Sequence, residues 1–388
     1  MRHFVPGVAV LLVGLAVMAR GQNPPPAAAA AADTARAIDA PGAPLPPESA
    51  SAAVTRFSFI AYGDTRGGLD GLEPQYDHRL VVESMIRTVA SLANGPDPVR
   101  FVTWSGDAVV DGRVAQQWNV SFVGVVNRLI DATGLPFFPA PGNHDVAHTS
   151  TVTAPGRIAG LRNYFPAFRK LMPADGAPRR LAGYPTFAVA YGNTFVVLWD
   201  TSIADDTTQY NWIRGQLEGL DRRRYVNIVM VGHHPAFSSG YHGGAFVDSQ
   251  TAVIRTRYMP LFRKHNVRLM LAGHEHLFEH WVERYQDAGG ALHRLDQIVS
   301  GGGGAPLYGY NGEPDLREYI QQGAAEKVAV EHLVKPGLMP GDNPYHYVVV
   351  HVNGERISVE VRGVGIGSDF APYRSRGVEL TPPARHAP

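Results

Sequence analysis

The 388-residue chain contains no cysteine. This absence excludes disulfide bonds, thiolate metal sites, cysteine nucleophiles and lipoprotein anchoring through cysteine. Any metal ion must therefore be held by nitrogen and oxygen ligands from His, Asp, Glu, Asn or Tyr. A chain without thiols suits an oxidising compartment, because it cannot misoxidise, but the absence does not prove one.

The chain also lacks a net charge, since 35 Lys and Arg residues balance 35 Asp and Glu residues. No overall basic field favours a nucleic acid as a stable partner, and no strong acidity favours a disordered chain. The hydrophobic residues, 45% of the total, are enough to bury one large core or two ordinary ones.

Long hydrophobic runs are absent apart from one at the N-terminus. Residues 1–21 combine a basic Arg2, an apolar run from Val8 to Met18 and small residues up to Gly21, which is typical of a secretory signal peptide. The alternative is a short membrane anchor, but the run has roughly 11 residues and a spanning helix needs about 20. We predict a secreted or periplasmic protein that has no membrane association after signal cleavage.

Composition divides the rest of the chain. Residues 22–54 are rich in Ala and Pro and hold few large apolar side chains, which predicts a flexible, partly extended linker. The predicted domain covers residues 55–363, and residues 364–388 are expected to form a C-terminal tail without structure. Within the domain, β-rich runs alternate with segments of helical spacing, which predicts a largely parallel sheet covered by helices. The dipeptide Asn353-Gly354 predicts a β-hairpin near the end of the domain.

Five β-rich runs end in glycine followed by a residue type that binds metals. They read "AYGD", "WSGD", "APGNHD", "MVGHH" and "LAGHEH". In open α/β sheets, ligands bind beyond the carboxyl ends of the strands. Each residue alone is as easily a turn former or a helix cap, but five such strand ends together favour a shared metal site. One sheet would bring these side chains to one edge: Asp64, Asp107, Asn143, His233, His274 and His276.

The ordered series GD, GD, GNHD, GHHP and GHEH resembles the calcineurin-like metallophosphoesterase superfamily. The stretches "SSGYHGG" and "SGGGGAPLY" resemble its purple-acid-phosphatase-like branch, and the likeness extends from about Phe57 to Val361. This resemblance implies an α/β fold, a four-layer αββα sandwich with the metal site at the C-terminal ends of the central strands. It also implies two metal ions, divalent or of mixed valence, with Fe, Zn or Mn as candidates.

The resemblance further implies which residues hold the metals. His233 is preferred over His234, because the family's ligand lies two residues before the proline of this motif. The implied ligands are Asp64, Asp107 and His276 for one metal and Asp107, Asn143, His233 and His274 for the other, with Asp107 bridging the two.

Two residues of the GNHD motif have implied catalytic roles. His144 would stand beside the metals without binding them, and would protonate the leaving alkoxide or stabilise charge on the transferring group. Asp145 would orient His144 and fix its tautomer.

The first metal position departs from the family pattern. Arg66 stands where many members have the His of Asp-x-His, and Val110 stands where purple acid phosphatases have a tyrosine. Two interpretations stay open. In the one we favour, Arg66 contacts the substrate phosphate in a two-metal site; in the other, the first metal binds weakly and one metal suffices. Asp111 and His148 are candidate replacement ligands.

These features predict a secreted metal-dependent phosphoesterase that acts on a small phosphorylated substrate by in-line attack of a metal-activated hydroxide. The choice between monoesters and diesters, and the oligomeric state, stay open. The alternative is a degenerate relative that binds a phosphorylated or carbohydrate ligand without turnover. A serine hydrolase has no support, because the GxSxG motif is absent. His242 in "GYHGG" is a weaker candidate for contacting substrate.

Overall fold

The computed structural model describes residues 34–67 and 72–364, and the backbone of Val378–Leu380. By its contacts the chain divides into Met1–Asp33 and Thr34–Pro388, and the second unit is described here. The predicted signal peptide and the first part of the predicted linker lie outside the described residues.

The strands of the described residues form a six-stranded and a seven-stranded sheet. In chain order they are β1 Arg56–Tyr62, β2 Val99–Trp104, β3 Phe137–Pro139, β4 Phe187–Tyr191, β5 Thr194–Leu198, β6 Asn227–Val231, β7 Leu269–Ala272, β8 Phe278–Gln286, β9 Leu292–Ser300, β10 Ala329–Val334, β11 Tyr345–Asn353, β12 Arg356–Val364 and β13 Val378–Leu380. The first sheet has the order β13-β12-β11-β1-β2-β3, and the second has the order β10-β8-β9-β7-β6-β5-β4.

α-Helices lie in the connections between the strands. They are α1 Tyr76–Leu92, α2 Ala115–Gln117, α3 Val123–Thr133, α4 Pro155–Phe168, α5 Thr207–Glu218, α6 Ser249–Val253, α7 Met259–Lys264 and α8 Arg317–Gln322. Wider turns continue the helix between α2 and α3 and between α6 and α7; in the first, the Val123 N–H donates to the Trp118 carbonyl. Helix α3 ends at Gly134, whose φ of 70° is the left-handed conformation common after a helix.

The two sheets pack face to face between two layers of helices. Phe57 of β1 and Val229 of β6 lie in one core cluster, which also holds Val82 of α1. A second cluster joins the other face of the second sheet to α5 and α7, where Ile213 and Phe262 are buried. The four-layer sandwich is therefore confirmed.

The single, largely parallel sheet is a wrong prediction. In the first sheet β1, β2 and β3 are parallel, but β11 pairs antiparallel with β1. In the second sheet β5, β6, β7 and β9 are parallel. The pairs β4–β5, β8–β9 and β10–β8 are antiparallel. Alternating strands and helices predict the parallel portions, but they do not show that the strands divide between two sheets.

The part of the predicted linker that the structure describes is not free. Ala35 and Ile38 are buried. The Ile38 N–H donates to the Ala167 carbonyl of α4 at 2.9 Å, and the Asp39 N–H donates to Asn127 Oδ1 of α3 at 2.9 Å. The prediction of a flexible linker is therefore wrong for residues 34–54, since this extended, proline-rich segment is fixed by hydrogen bonds to the helices it crosses.

The C-terminal hairpin is confirmed, because β11 and β12 pair across the Asn353-Gly354 turn. The predicted tail differs from expectation at one point: Val378–Leu380 forms β13 and pairs with β12. The rest of the tail, residues 365–377 and 381–388, lies outside the described residues.

Two long connections, residues 146–185 and 305–343, contain regular elements of their own. Helix α4 lies in the first, and its buried Arg157 pairs with Asp200, which follows β5.

None of the helices in the described ranges combines the length and the apolar character that a membrane crossing requires.

Candidate metal centre

Three predicted metal ligands share an uncommon backbone conformation. Asp64 after β1, Asp107 after β2 and His274 after β7 have φ angles of 58°, 62° and 70°. Non-glycine residues rarely adopt such angles, although Asp, Asn and His do so most readily, and each costs about 1–3 kcal/mol. The sharp turn after each strand directs the ligand side chain into the centre. The backbone strain therefore lies at the ligand residues themselves.

The glycine that precedes each ligand permits close approach of the loops. A Cβ added to Gly142 would overlap the Asp107 carboxylate, and a Cβ added to Gly273 would overlap the Asp64 carboxylate. Only glycine leaves room for one ligand loop to lie against the next ligand's carboxylate. This packing explains why glycine precedes the ligand in these runs.

The six predicted ligands come together from both sheets rather than from one edge. The contact between the sheets is direct, because the His274 N–H donates to both Asp64 carboxylate oxygens at 3.0 Å. The first sheet contributes Asp64, Asp107 and Asn143, and the second contributes His233, His274 and His276.

Four of these side chains direct their donor atoms at a common point. His233 Nε2 lies 2.7 Å from Asn143 Oδ1 and 3.5 Å from Asp107 Oδ1. His274 Nδ1 lies 3.2 Å from Asn143 Oδ1 and 3.1 Å from His233 Nε2. Two imidazoles, an amide oxygen and a carboxylate form a donor set that suits Zn, Fe or Mn.

Hydrogen bonding distinguishes His233 from its neighbour. Nδ1 of His233 lies 2.8 Å from the Ser105 carbonyl, so it carries the proton and leaves the Nε2 lone pair directed at the centre. His234 instead places Nδ1 2.8 Å from Thr201 Oγ1. Burial lowers the pKa of His233 to about 3, so this imidazole is neutral, as a metal ligand must be.

The remaining two predicted ligands, Asp64 and His276, form the first metal group together with Asp107. One ligand atom from each of Asp64, Asp107 and His276 lies within 4.8 Å of the other two. His276 Nδ1 lies 2.6 Å from the Pro306 carbonyl, which leaves Nε2 directed at the group, 3.6 Å from Asp64 Oδ1. Asp107 belongs to both groups, as a bridging carboxylate requires.

The electrostatics of the two buried aspartates favour a bound cation. Burial raises the pKa of Asp64 well above its ordinary value, and the nearby charge of Asp107 raises it further. Burial acts in the same direction on Asp107, but His233, His144 and Arg66 outweigh it and lower the pKa of that carboxyl. Two carboxylates buried side by side repel each other unless a cation separates them. The residues present therefore fit a metal centre.

Arg66 lies at the group formed by Asp64, Asp107 and His276. Its Nε is 3.4 Å from Asp107 Oδ2, and its Nη2 is 3.4 Å from His276 Nε2. The side chain is only 14% exposed. A positive charge thus lies against Asp107 and His276, at the position where the family pattern has a neutral ligand.

Neither candidate replacement ligand joins that group. Asp111 is paired with Arg113, with 2.6 Å between Nη2 and Oδ2. His148 Nδ1 lies 2.8 Å from Asn143 Nδ2, and its ring packs on His144 with centroids 4.2 Å apart. His148 therefore lies on the Asn143 side of the centre.

His144 lies beside Asp107, but Asp145 is not its partner. Nδ1 of His144 lies 2.7 Å from the Val110 carbonyl, and Nε2 lies 3.9 Å from Asp107 Oδ2. The Asp145 carboxylate instead accepts backbone N–H bonds from Asp107 at 3.0 Å and Gly142 at 2.8 Å. The interpretation of Asp145 as the residue that orients His144 is wrong; Asp145 fixes the backbone of the ligand loops.

Glu275, between two predicted ligands, was not identified from the sequence as part of the site. Its buried carboxylate accepts N–H bonds from Tyr241, His242 and Gly243 at 2.8, 2.7 and 2.8 Å. Burial raises its pKa to about 7. Glu275 therefore holds the loop that carries His242 against the centre. In the sequence, the position of this carboxylate between two predicted histidine ligands could have identified Glu275 as part of the site.

The glycine run at Gly301–Gly304 has a packing role. The Gly303 N–H donates to the Gly63 carbonyl at 2.9 Å, and the Ala305 N–H donates to the Asp64 carbonyl at 2.9 Å. These amides support the β1 turn. Tyr308, beyond the run, stacks on His276 with ring centroids 4.1 Å apart.

The family model for calcineurin-like phosphoesterases matches residues 58–278, more than half of the chain. The chain belongs to the calcineurin-like phosphoesterase family. The match includes all six predicted ligands.

Two curated relatives from Arabidopsis thaliana agree with the resemblance to the purple acid phosphatase branch. "Fe(3+)-Zn(2+) purple acid phosphatase 12" is 23% identical over 146 residues, which are 37% of this chain and 29% of that protein. "Probable purple acid phosphatase 20" is 27% identical over 163 residues, which are 40% of this chain and 35% of that protein. The matches thus span about a third of the length of each relative.

The fold is also similar to that of a purple acid phosphatase from yellow lupin (Lupinus luteus) seeds. The TM-score is 0.56 at 16% identity, and the match covers 84% of this chain and 53% of that one. At this identity the likeness supports the fold alone.

Proposed function

We propose that this protein is a secreted phosphoesterase that uses two metal ions to hydrolyse small phosphate esters. The observation that carries the proposal is the convergence of six N and O donors from two sheets around the shared carboxylate of Asp107. Family membership supports the chemistry, and the absence of cysteine leaves these donors as the ligands.

The metals and the protein side chains would have different roles in the reaction. When bound, the metals would supply Lewis acidity that neutralises the phosphate and activates the attacking water. Asp107 and Asp64 provide negative charge for the pair, while the neutral imidazoles leave that Lewis acidity intact. The buried carboxylate of Asp145 keeps the Asp107 turn in place while charge develops.

His144 is the proposed general acid. The Val110 carbonyl holds the Nδ1 proton, so Nε2 is the atom that exchanges a proton with the leaving oxygen. Its side chain is 16% exposed, which permits contact with a substrate. Arg66 is the proposed phosphate contact, since a guanidinium offers two parallel N–H donors to phosphate oxygens.

Turnover of defined esters tests the proposal. Protein stripped with a chelator and reloaded with Zn, Fe or Mn should hydrolyse a chromogenic phosphomonoester or bis-phosphodiester, and chelator should abolish the activity. Asp107→Asn should reduce kcat/KM by more than the about 10–100-fold that outer-shell changes cause. Asp111→Asn is the matched control, because Asp111 lies in the same connection but outside the centre.

A metal-loaded protein that hydrolyses neither type of ester would overturn the enzymatic proposal. Binding of phosphate esters without turnover in that experiment would favour the degenerate relative, for which the departures at Arg66 and Val110 are the support.

Secretion is proposed from the signal-peptide pattern of residues 1–21. N-terminal sequencing of protein exported from a bacterial host should find a mature chain that begins after Gly21. Cytoplasmic retention of the uncut chain would contradict the proposal.

A further inference from the structure

Asp248 occupies a helix N-cap position but does not cap the helix. It precedes α6, and its carboxylate makes no hydrogen bond to the first turn. Asp206 holds the same position before α5 and accepts the Gln209 N–H at 2.6 Å, as N-cap aspartates usually do. The Asp248 carboxylate is directed instead at His274, with 3.0 Å between Oδ2 and Nε2.

The two nitrogens of His274 face different partners. Nδ1 faces the metal centre, 3.2 Å from Asn143 Oδ1 and 3.1 Å from His233 Nε2. A neutral imidazole that binds a metal through Nδ1 must carry its proton on Nε2. A carboxylate acceptor at Nε2 selects that tautomer, fixes the ring plane and increases the basicity of Nδ1.

Asp248 also belongs to the loop that Glu275 holds. This loop, residues 238–248, closes on itself through the Asp248 N–H, which donates to the His242 carbonyl at 2.8 Å. Asp248 Oδ2 lies 3.6 Å from His242 Nδ1 as well. Two carboxylates thus connect the loop and the GHEH motif. Glu275 of the motif contacts the loop backbone, and Asp248 of the loop contacts the His274 ring of the motif.

We propose that Asp248 is a positioning residue that orients His274 to bind its metal through Nδ1 and thereby couples metal binding to closure of the 238–248 loop. This role rests on the proposed metal centre. Since His242 lies on the same loop, its ring, 4.4 Å from that of His274, is placed beside the metals only when the loop is closed.

Metal affinity tests this role directly. We would strip wild-type protein, Asp248→Ala and Asp248→Asn of metal and titrate each with Zn²⁺ against a chromogenic chelator. Asp248→Ala should weaken one of the two bound ions about 10–100-fold, the usual effect of removing the carboxylate behind a ligating histidine. Asp248→Asn should lose less, because its amide oxygen still accepts the Nε2–H bond. Asp206→Ala is the matched control and should bind both ions with wild-type affinity.

Two further measurements separate positioning from general structural damage. The free energy of unfolding of the metal-free protein should fall by no more than about 1–3 kcal/mol in Asp248→Ala, the cost of the lost hydrogen bond to His274, because Asp248 is partly exposed and caps no helix. Zn²⁺ should protect the 238–248 loop of the wild type from limited proteolysis, and should protect the loop of Asp248→Ala less.

Wild-type affinity for both ions in Asp248→Ala would overturn the positioning role and leave the proposed function standing. His234, Asp248 and His274 also have ligand atoms within 4.8 Å of one another. A third Zn²⁺ in the wild type that Asp248→Ala loses would therefore overturn the role in favour of a separate cation site. Failure of the wild type to bind any metal would overturn the proposed function and this role together.

Discussion

At the scale of single residues, Arg66 is the main departure of this centre from the family pattern. Its guanidinium approaches Asp107 and His276, two members of the first metal group, at 3.4 Å each. The same geometry serves two interpretations: a phosphate contact beside two metals, or a fixed positive charge in place of one metal. Because the two interpretations predict different metal contents, they can be separated.

We expect wild-type protein and Arg66→Ala each to bind two metal ions, as measured by metal analysis. Arg66→Ala should lower kcat/KM about 10–100-fold, since a charge-assisted hydrogen bond contributes about 1.5–3 kcal/mol. Arg113→Ala removes an exposed arginine from the connection after β2 and should leave both quantities unchanged.

The opposite result is equally specific. One metal in the wild type, and a second only after Arg66→Ala or Arg66→His, would show that the guanidinium takes the place of the first metal.

At the scale of elements, the segment of residues 34–54 shows the limit of composition as a guide. Ala and Pro supply little area to bury, which is why the sequence predicts a linker. Proline also restricts the unfolded chain, so an extended segment loses less entropy when it docks. Two of its hydrogen bonds go to Asn127 of α3 and Asn163 of α4, over 80 residues away in sequence, and no local pattern reveals them.

Ile38 tests whether this segment is part of the fold. Ile38→Ala should lower the free energy of unfolding by about 2–4 kcal/mol, because its side chain is fully buried in the main core. Urea titration measures this change. In a free linker the same substitution would stay within about 0.5 kcal/mol, and that result would contradict the packed segment.

At the scale of the whole molecule, buried neutral histidines outside the centre make stability depend on pH. Burial lowers the pKa of His78 to about 3 and that of His346 to about 4, below their ordinary value of 6.5. Below about pH 6.5 the histidines of the unfolded chain therefore take up protons that those of the folded protein do not. The free energy of unfolding consequently decreases as the pH is lowered. The stabilisation is complete above pH 6.5 and is lost progressively toward pH 4.

We expect urea unfolding of the metal-free protein to show this loss between pH 7 and pH 5. Each such histidine contributes up to about 1.4 kcal/mol per pH unit. His78→Gln should therefore be less stable at pH 7 but show a shallower decline. An equal slope for the variant and the wild type would show that His78 does not carry the effect.

The sequence by itself determined the local elements and the residue types of the centre. β-rich runs identified β1, β2, β6 and β7, and the glycine before Asp64, Asp107 and His274 marked the strand ends, where the structure finds left-handed backbone at these three ligands. These are local requirements, because a backbone turn and a ligand atom depend on a few neighbouring residues.

Only the tertiary structure decided how those elements share space. That the strands divide between two sheets, that Asp145 holds the Asp107 turn, and that Asp248 lies against His274 all follow from contacts between distant segments. The same residues in another packing would satisfy the sequence patterns equally well. Because pairing between distant segments depends on the whole buried core, the partners of Arg66, Asp145 and Asp248 could be identified only after the chain had folded.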